Sequence, residues 1–128
     1  MIKDETFVAL CAALLQDPKL VAQAGWQKLV LIGEVQPGHT SMFGYTYNQD
    51  GEGKLTSLSL DFDMDRLDAL HQAMKAANPN GRAWLKCMIR LSRAGEVVAD
   101  FEYDDPKRWE HTTDNYLERI QEYATLPV

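Results

Sequence analysis

Apolar residues recur along this chain with two different periods. Over residues 5–16, Phe7, Leu10, Cys11, Leu14 and Leu15 fall at i, i+3, i+4, i+7 and i+8, the single stripe of an amphipathic helix. Asp17-Pro18 ends it, because the residue before proline is pushed out of the helical region. From Trp26 the period drops to two. Residues 26–35 place Leu29, Leu31, Gly33 and Val35 on one face, and Trp26, Lys28, Val30, Ile32 and Glu34 on the other. Pro37-Gly38 breaks this strand. Residues 41–48 alternate Phe43, Tyr45 and Tyr47, and residues 55–62 follow an Asp50-Gly51-Glu52-Gly53 turn. Short glycine-bearing loops between three such strands predict an antiparallel meander. A helical stripe of Leu67, Leu70, His71, Met74 and Ala77 then spans residues 64–77, with Asp63 or Asp65 as its cap.

The clearest alternation runs from residue 84 to 104. Leu85, Cys87, Ile89 and Leu91 share a face of one strand, and Val97, Ala99, Phe101 and Tyr103 a face of the next. A turn at Arg93-Ala94-Gly95 pairs Leu91 with Val97, Ile89 with Ala99, Cys87 with Phe101 and Leu85 with Tyr103. A slip of one residue would send a whole apolar row to the wrong face. The opposite face then carries Trp84, Lys86, Met88, Arg90, Asp100 and Glu102. Tyr116, Leu117, Ile120 and Tyr123 mark a last helix over residues 113–125, capped by Thr113 or Asp114. The order α-β-β-β-α-β-β-α lacks sustained β-α-β alternation. It predicts an α+β fold, an antiparallel sheet of about five strands with helices packed on one face. All five strands can share one sheet only if the middle helix crosses over. No linker divides residues 1–128, so a single domain is expected.

Charge and composition narrow the function. Thirteen Lys and Arg against nineteen Asp and Glu leave a net charge of −6. A nucleic-acid binder needs cations to displace counterions, so direct nucleic-acid binding is not expected. A basic protein partner suits this charge. The apolar runs are far short of the ~20 residues of a membrane span. Two acids in Met1–Thr6 occupy the place of a positive secretory n-region, so the expected address is cytoplasmic. Cys11 and Cys87, both in apolar stretches, read as buried thiols rather than a disulfide.

Catalytic and cofactor motifs are weak. Asp61, Asp63 and Asp65 form a D-x-D-x-D string, but Arg66 stands where a calcium loop needs glycine and Ala73 where it needs glutamate. Strand-end solvation and helix capping account for these acids. His39, His71 and His111 lack ligand spacing, so no zinc or other cofactor is expected. His71 lies on an apolar stripe, where a core or edge histidine is the more ordinary role than a general base. The unusual feature is Asp100-Phe101-Glu102-Tyr103-Asp104-Asp105. Aromatics among acids suit an anchor-and-rim interface; the plainer alternative is that Trp84 packs under a helix and the acids keep an edge strand from aggregating. Asp100, Glu102, Asp104, Asp105 and Trp84 are therefore the candidate partner-binding residues.

The run Asp100-Phe101-Glu102-Tyr103-Asp104-Asp105-Pro106-Lys107-Arg108-Trp109 resembles the D-F-x-Y-D-D-P-x-x-W segment of bacterial immunity proteins and antitoxins of the YezG-like type. A tryptophan-led strand and glycine-bearing turn precede it here, as in that family. The close likeness covers about the last 45 residues, and residues 36–62 carry no family signature. The resemblance implies a protein that neutralises a cognate toxin, often a nuclease, by stoichiometric binding, with no catalytic residues to transfer. Two other functions stay open at this point: an adaptor or chaperone for secreted effectors, and a small enzyme using His71 or Asp61, Asp63 and Asp65.

Overall fold

Five strands form one antiparallel sheet in the computed structural model of the protein, which describes residues 5–128. They are β1 (Trp26–Gln36), β2 (His39–Asn48), β3 (Gly53–Ser57), β4 (Lys86–Ser92) and β5 (Val97–Glu102), in the spatial order β3-β2-β1-β4-β5. The helices are α1 (Glu5–Gln16), α2 (Asp65–Ala77) and α3 (Tyr116–Ala124). The reading of the chain's opening as lacking a secretory n-region rests partly on residues 1–4, outside those described. The element order is the expected one. The crossover is made by α2, which carries the chain from the β3 edge to β4, so that β1 pairs with both β2 and β4.

The β4–β5 hairpin has the register its alternation dictates. Leu91 faces Val97, Ile89 faces Ala99 and Cys87 faces Phe101, with Lys86 opposite Glu102 on the other face. Gly95 closes the turn at φ 97°, a conformation that costs a residue with a Cβ dearly. The regular ladder ends at Lys86. Beyond it the Leu85 N–H bonds Glu102 O at 2.7 Å, so the expected Leu85–Tyr103 pair is absent from the register. Trp84 thereby joins the core between sheet and helices, a correction to its expected outward placement. A register shift between Trp26 and Lys28 does the same for Trp26.

That first core joins Phe7, Leu10, Cys11 and Leu14 of α1 to Leu67 and Leu70 of α2 over Leu29, Leu31, Cys87, Ile89 and Leu91. Both cysteines are free and buried, as the apolar flanks predict, and burial pushes Cys11 to about 11 and Cys87 to about 12. Strand β3 stops at Ser57 rather than residue 62. Ser59 leaves the sheet to bond the buried Asp17 carboxylate through its N–H at 3.1 Å and its hydroxyl at 2.6 Å. Burial raises the Asp17 pKa, but the bonds from Ser59, Leu20 and Lys19 outweigh it and hold the group low.

Only α1 and α2 share a face, and α3 packs on the opposite one. The reason is that β1, β2 and β4 are apolar on both sides. Val30, Ile32, Tyr45, Tyr47 and Met88 form a second buried cluster closed by Tyr123 of α3. A sheet apolar on both faces must be covered on both. Helix α3 is tied down by the Lys28 ammonium, which donates to the carbonyls of Tyr123, Ala124 and Leu126 at 2.8–3.0 Å. The Tyr47 hydroxyl donates to Ile120 O at 2.6 Å. At Gly53 a Cβ would lie 2.5 Å from Ile120 and 2.6 Å from Tyr47, so only glycine admits α3 this close to β3. The start of α3 differs from expectation: Thr112 Oγ1 accepts the N–H groups of Asp114 and Asn115. Asn115 is the capping position rather than Thr113 or Asp114. At α2 the Asp63 carboxylate bonds the Asp65 N–H, one residue before the Met64 cap position.

Candidate functional site

The acids of β5 are for the most part internally engaged. Asp100 pairs with Arg90 at 2.9 Å, and Arg90 also donates to Pro127 O. Glu102 pairs with Arg108 at 2.9 Å and accepts the N–H groups of Asp104 and Asp105. The Arg108 hydrogen bond, followed by those two amides, holds its carboxyl at about 2. Asp104 pairs with Arg82. The Asp105 carboxylate accepts the Lys107 N–H at 2.9 Å. Glu102, Asp104 and Asp105 therefore build the loop after β5, with Asp104 and Asp105 keeping their exposure, while Asp100 serves Arg90 beside the C-terminal segment. Trp84, 1% exposed, packs edge-on against His71 at 4.8 Å and against Phe101 at 5.6 Å. It is not available as a surface anchor.

His71 is a positioning contact at the core's edge. Its Nε2 lies 2.9 Å from Trp84 O. It lines an open groove of about 520 Å³ that also includes His39, Asp68 and Lys75. Asp61, Asp63 and Asp65 are exposed. Among the described residues, no three His, Cys, Asp or Glu side chains are placed to hold a metal ion.

Two features on the α3 face escape the sequence pattern. The first centres on His111, whose ring lies 4.7 Å from Phe43, 5.7 Å from Tyr45 and 5.6 Å from Tyr123. Its two ring nitrogens and the hydroxyls of Tyr45 and Tyr123 are buried without hydrogen-bond partners. Beside it is a cavity of about 270 Å³, walled by Ile32, Phe43, Trp109 and the Lys86–Glu34 pair. Trp109 has φ 57°, a left-handed conformation that costs a bulky residue about 1–2 kcal/mol. It is held by the Arg108 guanidinium over its ring, and by Lys86, which donates to Arg108 O at 3.0 Å. No periodicity marks a lone histidine in a loop, so His111 carried no signal beyond its residue type.

Burial, then the Arg119 cation, lower the His111 pKa to about 4. Lys86 of β4 acts in the same direction, while the Trp109 backbone and Glu122 of α3 oppose it. The fold thus prefers the neutral ring. This contribution is complete above the ordinary value of 6.5 and is lost as pH falls from there towards 4. Discounted for partial exposure, it amounts to about 2 kcal/mol. Thermal unfolding is expected to show that loss in the wild type, and a His111→Phe variant is expected to lack this segment of the pH profile.

The second feature is an open apolar trough of about 550 Å³ formed by Phe43, Tyr45, Leu55, His111 and Tyr116. It lies beside the N-terminal end of α3, against β2 and the edge strand β3. Leu55 is 57% exposed and Tyr116 40%. No protein-family model matches the chain, and no curated protein matches it.

Proposed function

We propose that the chain is an immunity protein or antitoxin that neutralises a cognate bacterial toxin in the cytoplasm by stoichiometric binding rather than catalysis. The observation that carries this reading is the trough beside β3, an exposed apolar anchor site on an acidic protein. Such a surface suits aromatic and aliphatic anchoring with charge-steered encounter. The likeness of residues 100–109 to immunity proteins supports the same reading. No helix among the described residues is long and apolar enough to cross a membrane. The partner is a basic toxin domain, nucleases being one such class. Asp104 and Asp105, beyond the opposite edge strand, add to the long-range field that steers a basic partner, Glu102 holds the loop that presents them, and Asp100 ties Arg90 at the C-terminal segment.

The test is growth rescue. Cells expressing the toxin encoded beside this gene are expected to recover when the wild-type chain is supplied, and the two proteins to form a one-to-one complex. Failure of the wild type to protect or to bind overturns the reading. An Asp104→Asn, Asp105→Asn double variant is expected to slow association by up to about tenfold at low salt, with dissociation little changed.

A further inference from the structure

The two edges of the sheet are treated differently. At β5 the strand carries Asp100 and Glu102, each ion-paired, and runs into the loop held by Arg108. Charges of this kind stop an edge from pairing with another chain. At β3 the guard is lighter, and the Thr56 hydroxyl donates to Lys19 O at 3.1 Å on one face only. Gly53–Ser57 is hydrogen-bonded only to β2 within the sheet. It has no proline and no acid, and Lys54 is its single charge. The apolar trough opens along one face of this edge. A shallower hollow of about 200 Å³, lined by Lys19, Gln23, Lys54 and Thr56, opens along the other. An edge unpaired by any further strand, with a recess on each face, matches strand addition, in which main-chain bonds give affinity and alternate side chains fill the recesses.

We infer that β3 is the docking edge for an extended segment of a partner protein, apolar towards the trough and basic at its ends. The occupant's charge follows from the surroundings. Asp50 and Glu52 lead into β3, and Asp114 and Glu118 flank Tyr116 in the chain. All four are exposed, and none forms a salt bridge among the described residues. A second copy of this chain would bring another −6 to the same edge, which disfavours self-pairing. The inference rests on the binding reading above and assigns it a surface.

The probe is the labelled peptide Lys-Lys-Val-Thr-Val-Thr-Val-Lys-Lys, whose valines face the trough and whose threonines face Lys54 and Thr56. Saturable binding to the full chain is expected, with slowed hydrogen exchange at amides 53–57. Leu55→Asp is expected to weaken it at least about tenfold, while Val8→Ser, on the exposed side of α1, leaves it unchanged. The same peptide with glutamates for lysines is expected to bind far more weakly. Absence of binding, equal binding by the glutamate peptide, or indifference to Leu55→Asp in a folded variant overturns the inference. So does a wild-type dimer in solution that Leu55→Asp converts to monomer, which would make a second copy the occupant. Growth rescue separates the two claims. Undiminished rescue by Leu55→Asp removes the edge and leaves the immunity reading. Peptide binding without rescue by the wild type leaves the edge and removes that reading.

Discussion

Trp84→Ala is expected to cost about 3–5 kcal/mol in urea unfolding, the range for removing a buried aromatic. The indole is 1% exposed and sits between His71 of α2 and Phe101 of β5. Its removal leaves a void where α2 meets the β4–β5 hairpin and strips His71 of its ring contact. Trp84→Phe keeps much of the volume, and its cost is expected to be about 1–2 kcal/mol. A surface anchor would behave in the opposite way. Its alanine variant would unfold like the wild type and lose only partner affinity. A Trp84→Ala midpoint within about 0.5 kcal/mol of wild type would contradict the buried placement.

The contrast between Trp84 and its neighbours shows what could be read from the sequence. Cys87, Ile89, Leu91, Val97, Ala99 and Phe101 obey a period of two over a regular ladder, so their face and register followed from the pattern. Trp84 lies two residues before that ladder begins, where Leu85 bonds out of register. Parity stops predicting a face at such an irregularity. Trp26, before the shift in β1, fails for the same reason.

The side taken by α3 was illegible for another cause. Its stripe of Tyr116, Leu117, Ile120 and Tyr123, of which Leu117 proves exposed, states that one face is buried, not which side of a doubly apolar sheet receives it. The long-range ties that decide it come from Lys28, Tyr47 and Arg90, far away in sequence. The acids of β5 were visible as a cluster, but their arginine partners at 82, 90 and 108 are brought to them by the fold. The trough is a product of the same arrangement. Leu55 and Tyr116 lie on different elements, and both are left exposed beside the start of α3.

Lys28→Met is expected to destabilise the protein by about 2–3 kcal/mol, the scale of hydrogen bonds to a charged group, with the loss concentrated on α3. The Lys28 ammonium serves the carbonyls of Tyr123 and Ala124 at the C-terminal end of α3 and that of Leu126 just beyond it, and Tyr123 O also accepts the Leu126 N–H at 3.2 Å. A cation there also complements the helix dipole. The Tyr47 ring lies 4.9 Å below it. Burial first, and repulsion from Arg90 second, lower the Lys28 pKa. Holding the charge therefore carries a desolvation cost, which offsets part of what the three bonds supply. Methionine keeps the stem's apolar packing and escapes that cost, so the change reports the ammonium's net contribution, its bonds less its desolvation. Hydrogen exchange should quicken at residues 120–126 while α1 and α2 keep their protection. The trough should loosen with α3, because Tyr116 belongs to that helix. Uniform acceleration across both cores, or unchanged exchange in α3, would show that Lys28 does not act as the clamp of this helix.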